Sequence, residues 1–328
     1  MMNRTEKPVS IVSGGAGFIA TNLIGRLLDE GRTVVAIDNF SRGSRAHLQN
    51  FSANSALHIV EADLADRAQC MKTFEFTNMQ GQIGEVWHLA ANSDIPAGVA
   101  NPDVDHRDTF LTTFELLRAM RAFEVREMHF ASSSAIYGDL GNVALHEAIG
   151  PLFPISNYGA MKLASEAQAS AAAESHLDRV SLFRFPNVVG VPATHGVILD
   201  FIRKLKLSPE TLQVLGDGSQ QKAYLHVSDL VDAMLLVRAQ TRFDKVTPIN
   251  IGPVDEGVKV RWIAEQVVAR VNPKARIVFG EGNKGWVGDV PRFHYSTGKI
   301  QALGWSPLLG SESAVLRAID EIATQEGA

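Results

Sequence analysis

The chain has 328 residues, 45% of them hydrophobic, enough to bury a large core in one domain or two. Its formal net charge of −5 disfavours a general nucleic-acid binder, and its single cysteine, Cys70, excludes an internal disulfide and fits a reducing, cytoplasmic setting. The N-terminal Met-Met-Asn-Arg-Thr-Glu-Lys has no apolar core behind it, so no signal peptide is expected, and no run approaches the roughly 20 apolar residues of a membrane span.

The first element is a buried strand at 9–13. It runs into Ser13-Gly14-Gly15-Ala16-Gly17-Phe18-Ile19-Ala20 and then a helix at 20–30, whose Leu23, Ile24, Leu27 and Leu28 have the spacing of a buried stripe. Gly15-x-Gly17-x-x-Ala20 between a strand and a helix fits the dinucleotide fingerprint. Glycines there permit a tight turn, and the helix N-terminus offers free N–H groups to a pyrophosphate. A second strand at 33–37 leads into Asp38, the expected partner of the adenosine ribose hydroxyls. That carboxylate would repel a 2′-phosphate, which favours NAD over NADP. Arg42 and Arg45 follow and read as loop residues rather than as a phosphate clamp.

Further strands are expected at 57–61, 86–89, 127–132 and 180–185, with helices at 105–123 and 156–174. The alternation predicts an α/β fold, a doubly wound parallel sheet of Rossmann type, with chemistry at the carboxyl ends of its strands. Asp38, Asp63, Ala90, Ser133 and Asn187 fall at or just after such ends. Beyond Asn187 glycine and proline become frequent, and helices are expected at 197–205, 227–241, 260–271 and 311–324. This part reads as a smaller C-terminal α/β lobe, although 247–251 has the character of one more parallel strand. The expected division is 1–187 as the dinucleotide-binding domain, with 223–252 returning to it, and 188–328 as the substrate lobe.

Tyr158 and Lys162 are four residues apart on a predicted helix, hence on one face. A phenol is a poor base at neutral pH, but a neighbouring ammonium favours its phenolate. The pair reads as an acid/base for a sugar or alcohol hydroxyl, with a Ser hydroxyl at the end of a neighbouring strand able to share the proton.

Together these residues resemble the extended short-chain dehydrogenase/reductase family, and within it the NAD-dependent nucleotide-sugar epimerase/dehydratase branch, most of all its UDP-glucose (UDP-galactose) 4-epimerases. The resemblance spans nearly the whole chain. It rests on Gly14–Ala20, Asp38-Asn39-Phe40-Ser41, His88-Leu89-Ala90-Ala91, Ser132-Ser133-Ser134-Ala135-Ile136-Tyr137-Gly138 and Tyr158-x-x-x-Lys162. To these are added Phe185-Pro186-Asn187, Gly216-Asp217-Gly218, Tyr224-Leu225-His226-Val227-Ser228-Asp229 and Gly285-Trp286-Val287-Gly288-Asp289. It implies Tyr158 as the base, Ser133 as its hydroxyl partner and Lys162 as the residue that holds the nicotinamide ribose and lowers the Tyr158 pKa. It implies cofactor contacts at Gly14, Gly17, Phe18, Ile19, Asp38, Asn39, Ser41, Gly43, Asp63, Leu64, Leu89, Ala90, Ala91, Thr109 and Pro186. For a nucleotide-diphosphate sugar it implies Ser133, Asn187, Val197, Gln213, Lys222 and Asp289. A homodimer through helices 105–123 and 156–174 is also implied.

The chain departs from the family pattern at several points. Lys222 stands where many members carry Arg, and gives a point charge rather than a fork. Ala223 replaces an acid, Thr109 an Asn and Trp286 an Arg, which leaves Lys284 or Arg292 as substitutes. Ser134-Ala135 after Ser133 supply no ionisable group, whereas the dehydratases and decarboxylases of the branch resemble one another in carrying an acid there. The expected activity is therefore C4 epimerisation with bound NAD. Alternatives are a 4-epimerase of uronic acid or N-acetylhexosamine sugars, an oxidoreductase, or a non-catalytic NAD-binding regulator. His88 reads as structural. His129, His195 and His226 share no metal-ligand spacing, so no metal is expected. Asp139, Asp217 and Asp229 read as turn or helix caps.

Overall fold

The run Val9–Ser13 is buried at every position and forms the central strand, β1. A computed structural model describes residues 7–141, 143–240, 244–282 and 294–328. Around β1 lie β2 (Val34–Asp38), β3 (Leu57–Glu61), β4 (Ile83–His88), β5 (Glu127–Ala131), β6 (Arg179–Arg184) and β7 (Val246–Asn250). Their order across the sheet is β7-β6-β5-β4-β1-β2-β3, and every pair from β3 to β6 is parallel. The order reverses at β1, as in doubly wound folds, and the predicted Rossmann sheet is therefore correct. The edge strand β3 is only partly buried, with Ile59 and Glu61 exposed.

By chain contacts the protein divides into two units, Met1–Ser132 with Ala160–Phe183 and Arg238–Pro248, and Ser133–Gly159 with Arg184–Val237 and Ile249–Ala328. In the first unit, α1 (Phe18–Asp29) carries the buried Leu23, Ile24, Leu27 and Leu28 anticipated from their spacing. One sheet face packs Val86, Met128 and Phe130 against Cys70 and Phe74 of α2 (Arg67–Gln80), Leu116 and Met120 of α3 (Thr112–Ala122), and Ala169 and Ala173 of α4 (Asn157–Ser175).

Two elements differ from the sequence expectation. The helix expected at 105–123 is interrupted: a short turn at Pro102–Asp105 passes into a π-helical turn at His106–Leu111 before α3 begins. A hydrophobic period cannot register the extra residue of a π turn. The helix α2 is polar on most of its surface and shows almost no apolar stripe. Its start is nonetheless marked, because Asp66 accepts from the Gln69 N–H at 2.9 Å.

The second unit has its own core. It joins α5 (Val197–Leu207), α7 (Val260–Val271) and α8 (Ser311–Glu326) through Ile198, Ile202, Ile263, Val267, Val315 and Ile319. The helix α6 (Val227–Ala239) precedes α7 in the chain. Short strand pairs complete the unit: Asn187–Val189 with Tyr224–His226, and Thr211–Val214 with Arg276–Phe279, both parallel. Asp139 and Asp217 brace turns as expected, accepting from Gly141 N and Ser219 N. Asp229, in the first turn of α6, is buried and accepts from Leu309 N at 3.1 Å. Among the described residues no helix is long and apolar enough to cross a membrane.

Candidate active site

The turn after β1 is held by close backbone approach. Gly14 has φ +66°, and a Cβ there would lie 2.9 Å from the Ala90 backbone. Gly15 leaves room for Ala36, which a Cβ would meet at 2.7 Å. The helix α1 starts at Phe18 with Gly17 as its N-cap and no side-chain cap. The first-turn N–H groups of Phe18 and Ile19 are thus not claimed by a capping side chain, the arrangement that suits a diphosphate. Asp38 at the end of β2 braces this turn: its Oδ2 accepts from Ala16 N at 3.0 Å and its Oδ1 from Phe40 N at 2.8 Å. Each oxygen keeps a second lone pair that a ribose hydroxyl can use. These features fit a bound dinucleotide.

The flanking loops are ordered by their own polar contacts. Asn39 Oδ1 accepts from Ser41 N and Oγ, and a Cβ on Gly43 would strike the Ala16 backbone. Asp63 accepts from Ala65 N and pairs with Arg107, and Leu64 beside it is buried. Arg42 pairs with Asp94 at 3.3 Å, while Arg45 pairs with Glu61 at 2.5 Å and covers the Phe40 ring. Both guanidiniums are paired with acids from outside the loop, Asp94 and Glu61.

Beneath the turn, Leu89, Ala90 and Ala91 follow β4. Ser13 Oγ accepts from Leu89 N and Ala90 N at 3.1 and 3.2 Å. Its own proton then goes to His88 Nδ1 at 2.7 Å, which leaves His88 Nε2–H to donate to Thr113 Oγ1 at 2.9 Å. This fixes the tautomer. Burial, with Lys162 nearby, pushes the imidazole pKa down to about 3. His88 is thus a neutral structural link. Thr109 is fully buried in the π turn, where its Oγ1 accepts from Asn92 N at 3.2 Å.

Lys162 is 2% exposed. Its Nζ donates to Ala131 O at 2.6 Å, at the end of β5, and stands 4.7 Å from the Phe130 ring centroid. Burial pushes its pKa down to about 7, against the pull of Glu166 and Asp105. Tyr158 lies one turn earlier on α4 and is half-buried. Ser133 is also half-buried, its Oγ accepting from Ala135 N at 3.1 Å, while Ser134 N donates to Phe185 O.

Other expected substrate residues lie in the second unit. Pro186 is half-buried and precedes Asn187, which is exposed at the start of its strand. Val197 opens α5, Gln213 is exposed on Thr211–Val214, and Lys222 is half-buried on Gln221–Lys222. Asp289, with Lys284, Trp286 and Arg292, lies outside the described residues.

Two buried clusters escaped the sequence reading. Glu166 and Ser132 sit beside Lys162, and only the repeat of the four-residue interval from 158 to 162 to 166 could have drawn attention to Glu166. Glu85, Glu127 and His129 bring potential ligand atoms within 4.8 Å of one another. Arginines hold these acids: Arg32 lies 3.1 Å from Glu85, Arg238 3.5 Å from Glu85 and Arg179 3.1 Å from Glu127. Ser10 Oγ and Trp87 Nε1 also donate to Glu85. Burial works to raise the Glu85 carboxyl, but His129, Arg32 and Trp87 outweigh it and hold it well below the usual carboxylate range. With its oxygens engaged this way the cluster is an ion-pair network.

The model of the NAD dependent epimerase/dehydratase family matches residues 10–252. A UDP-glucose 4-epimerase of Corynebacterium glutamicum is 30% identical over 95% of this chain and 94% of its own length. Among solved structures, a UDP-galactose 4-epimerase is 33% identical with a TM-score of 0.82, covering 97% of this chain and 99% of that one. MoeE5, solved with UDP-glucuronic acid and NAD, is 27% identical with a TM-score of 0.81, covering 98% of this chain and 100% of that one.

Proposed function

The chain belongs to the NAD dependent epimerase/dehydratase family, and from that premise we propose that it inverts C4 of a nucleotide-diphosphate sugar, of UDP-glucose/UDP-galactose type, through a transient 4-keto sugar. The observation that carries this reading is the placement of Tyr158 and Lys162 on successive turns of α4, with Lys162 Nζ tied to the carbonyl at the end of β5. The Lys162 ammonium favours the Tyr158 phenolate, which removes the C4 hydroxyl proton, with Ser133 sharing that proton. NAD, held by the dinucleotide-binding residues, would supply the hydride chemistry at C4. In the reverse step, Tyr158 gives its proton back to the C4 oxygen. Asn187, Val197, Gln213, Lys222 and Asp289 hold the nucleotide diphosphate while the keto sugar turns over. Gly14, Gly17, Phe18, Ile19, Asp38, Asn39, Ser41, Gly43, Asp63, Leu64, Leu89, Ala90, Ala91, Thr109 and Pro186 hold the dinucleotide. Residues 1–187, with 223–252, form the NAD-binding domain and 188–328 the sugar lobe, in a cytoplasmic homodimer.

Two features support epimerisation over dehydration or decarboxylation. Ser134 and Ala135 offer no second proton carrier after Ser133, and two of the similar proteins described above are named as 4-epimerases. A second reading, action on a uronic acid sugar, draws on the likeness to MoeE5, whose structure holds UDP-glucuronic acid. A panel of UDP-glucose, UDP-galactose, UDP-glucuronic acid and UDP-N-acetylglucosamine, with products separated by chromatography, decides between them. Tyr158→Phe is expected to lower kcat by about 10²- to 10⁴-fold, with NAD still bound. Retained turnover in that variant removes Tyr158 from its role.

A further inference from the structure

The turn that follows Ser133 is weakly held by its own backbone. Ser133 is the N-cap of a single helical turn, Ser134–Tyr137. The bonds that close it, from Ile136 N to Ser133 O and from Gly138 N to Ala135 O, are both 3.4 Å, beyond the usual N–H···O range. A turn this short has little stability of its own. Anchors at its two ends set its place. At the start, Ser134 N donates to Phe185 O at 3.1 Å. At the end stands Tyr137, fully buried.

The Tyr137 hydroxyl is engaged on both sides. Arg184 Nη1 donates to it at 3.0 Å, and it lies 2.7 Å from Asn250 Oδ1. Asn250 Nδ2 donates to Leu145 O at 2.8 Å and to Ser296 O at 3.1 Å. The amide oxygen is therefore the atom turned to Tyr137, and the phenol is the donor. Asn250 and Arg184 are themselves buried, and Arg184 Nη1 also donates to Glu147 O at 3.1 Å. The Tyr295 ring meets that of Tyr137 edge-on, and its hydroxyl donates to Arg184 O. All these residues belong to the second unit. A buried polar network with its bonds made holds one arrangement, so the end of the turn has a fixed address.

The consequence falls on Ser133. Its Oγ accepts from Ala135 N at 3.1 Å, inside the turn, so the direction of its O–H follows the turn as a unit. We propose that Tyr137 is a positioning residue acting through Ser133: its hydroxyl, held between Arg184 and Asn250, fixes the far end of the turn and thereby the place of the Ser133 hydroxyl opposite the sugar oxygen. This rests on the reading of Ser133 as the group that shares the C4 hydroxyl proton. Tyr137 touches neither sugar nor cofactor in this role, and its proton stays within the network. A small displacement of a proton-sharing hydroxyl is costly in rate, whereas the groups that hold the nucleotide diphosphate are untouched.

The test joins a double-mutant cycle on kcat with amide hydrogen exchange of the NAD-loaded protein. The cycle pairs Tyr137→Phe, which keeps the ring and removes the hydroxyl, with Ser133→Ala, on whichever sugar of the panel turns over. Tyr137→Phe is expected to lower kcat about tenfold or more with Ser133 present. In the Ser133→Ala background the same change is expected to cost less than about twofold, with KM for the sugar unchanged in both. A loss by the same factor in both backgrounds is what a purely structural role gives, and it overturns the proposal. A parental kcat in Tyr137→Phe, or in Ser133→Ala, overturns it as well. The Ala135 amide, held by Ser133 Oγ, is expected to exchange about tenfold faster in Tyr137→Phe, and an unchanged rate is a further refutation. If Tyr137→Phe does not fold, Asn250→Ala, which withdraws the acceptor of the same hydroxyl, takes its place in both measurements. Exchange needs no turnover, so failure to epimerise any nucleotide sugar would remove the proposed function and still leave the hold of Tyr137 on Ser133 decided.

Discussion

Two sets of buried charge lie at opposite ends of the same strands. Toward the amino ends, Glu85 and Glu127 are met by Arg32, Arg179, Arg238 and His129. Toward the carboxyl ends, Lys162 donates to the Ala131 carbonyl and is drawn by Glu166 and Asp105, while Ser13, His88 and Thr113 form an uncharged chain. In the first set several cations hold the Glu85 carboxyl far from its ordinary range on the ionised side. The second leaves an ammonium near its neutral point. Dense pairing makes a fastener. Partial compensation makes a group that can respond to a proton moving nearby.

The amino-end set should yield the largest stability effect. Glu85→Gln strands guanidinium groups and is expected to cost about 3 kcal/mol or more, read by denaturant unfolding. The kcat of the folded fraction should change less than twofold by the same argument, since partners are lost only at the far end of the strands. A large fall in kcat at unchanged stability would erase the distinction between the two sets.

The next effect is in the neutral chain. His88→Gln leaves Ser13 or Thr113 short of a partner and is expected to cost about 1–3 kcal/mol. Its pH signature is more telling. The folded imidazole titrates at about 3 against 6.5 for a free one, so between these values the unfolded chain holds a proton that the folded chain refuses. This contribution is therefore complete above pH 6.5 and is lost as pH falls, by up to about 1.4 kcal/mol per pH unit. Melting temperatures taken from pH 7 to 4 should fall more steeply for the parent than for His88→Gln. Parallel curves would mean that His88 is not held neutral.

The smallest effect belongs to the surface. Arg45→Ala breaks an exposed pair with Glu61 and is expected to change stability by about 0–1 kcal/mol, vanishing at high salt. A larger loss, insensitive to salt, would point to the Phe40 stack rather than to charge.

The sequence displayed the glycine turn, Asp38 and the sheet strands because each is a local signal: a turn that needs glycine, an acid at a strand end, a short apolar run. Strand ends shifted by a residue or two, as in β6. The π turn at His106–Leu111 was hidden because one extra residue leaves the apolar spacing almost intact. The helix α2 was hidden because its polar surface gives no stripe, although Asp66 and Gln69 marked its start. The charge clusters were hidden for a different reason. Glu85, Glu127, Arg32, Arg179 and Arg238 come from separate strands and helices, and only the folded sheet brings them together. Glu166 was one interval beyond a recognised pair and carried no motif of its own.

The strand β7 has a consequence for the order of synthesis. Residues 246–250 close the sheet beside β6, and Arg238 just before them completes the set around Glu85. While the ribosome is still making the middle of the chain, β6 has an unpaired edge, the kind of surface that recruits stray strands. The nucleotide-binding half is thus finished by residues translated long after its opening turn. Cutting the chain at 187 would yield a sheet with a raw margin rather than a self-sufficient module.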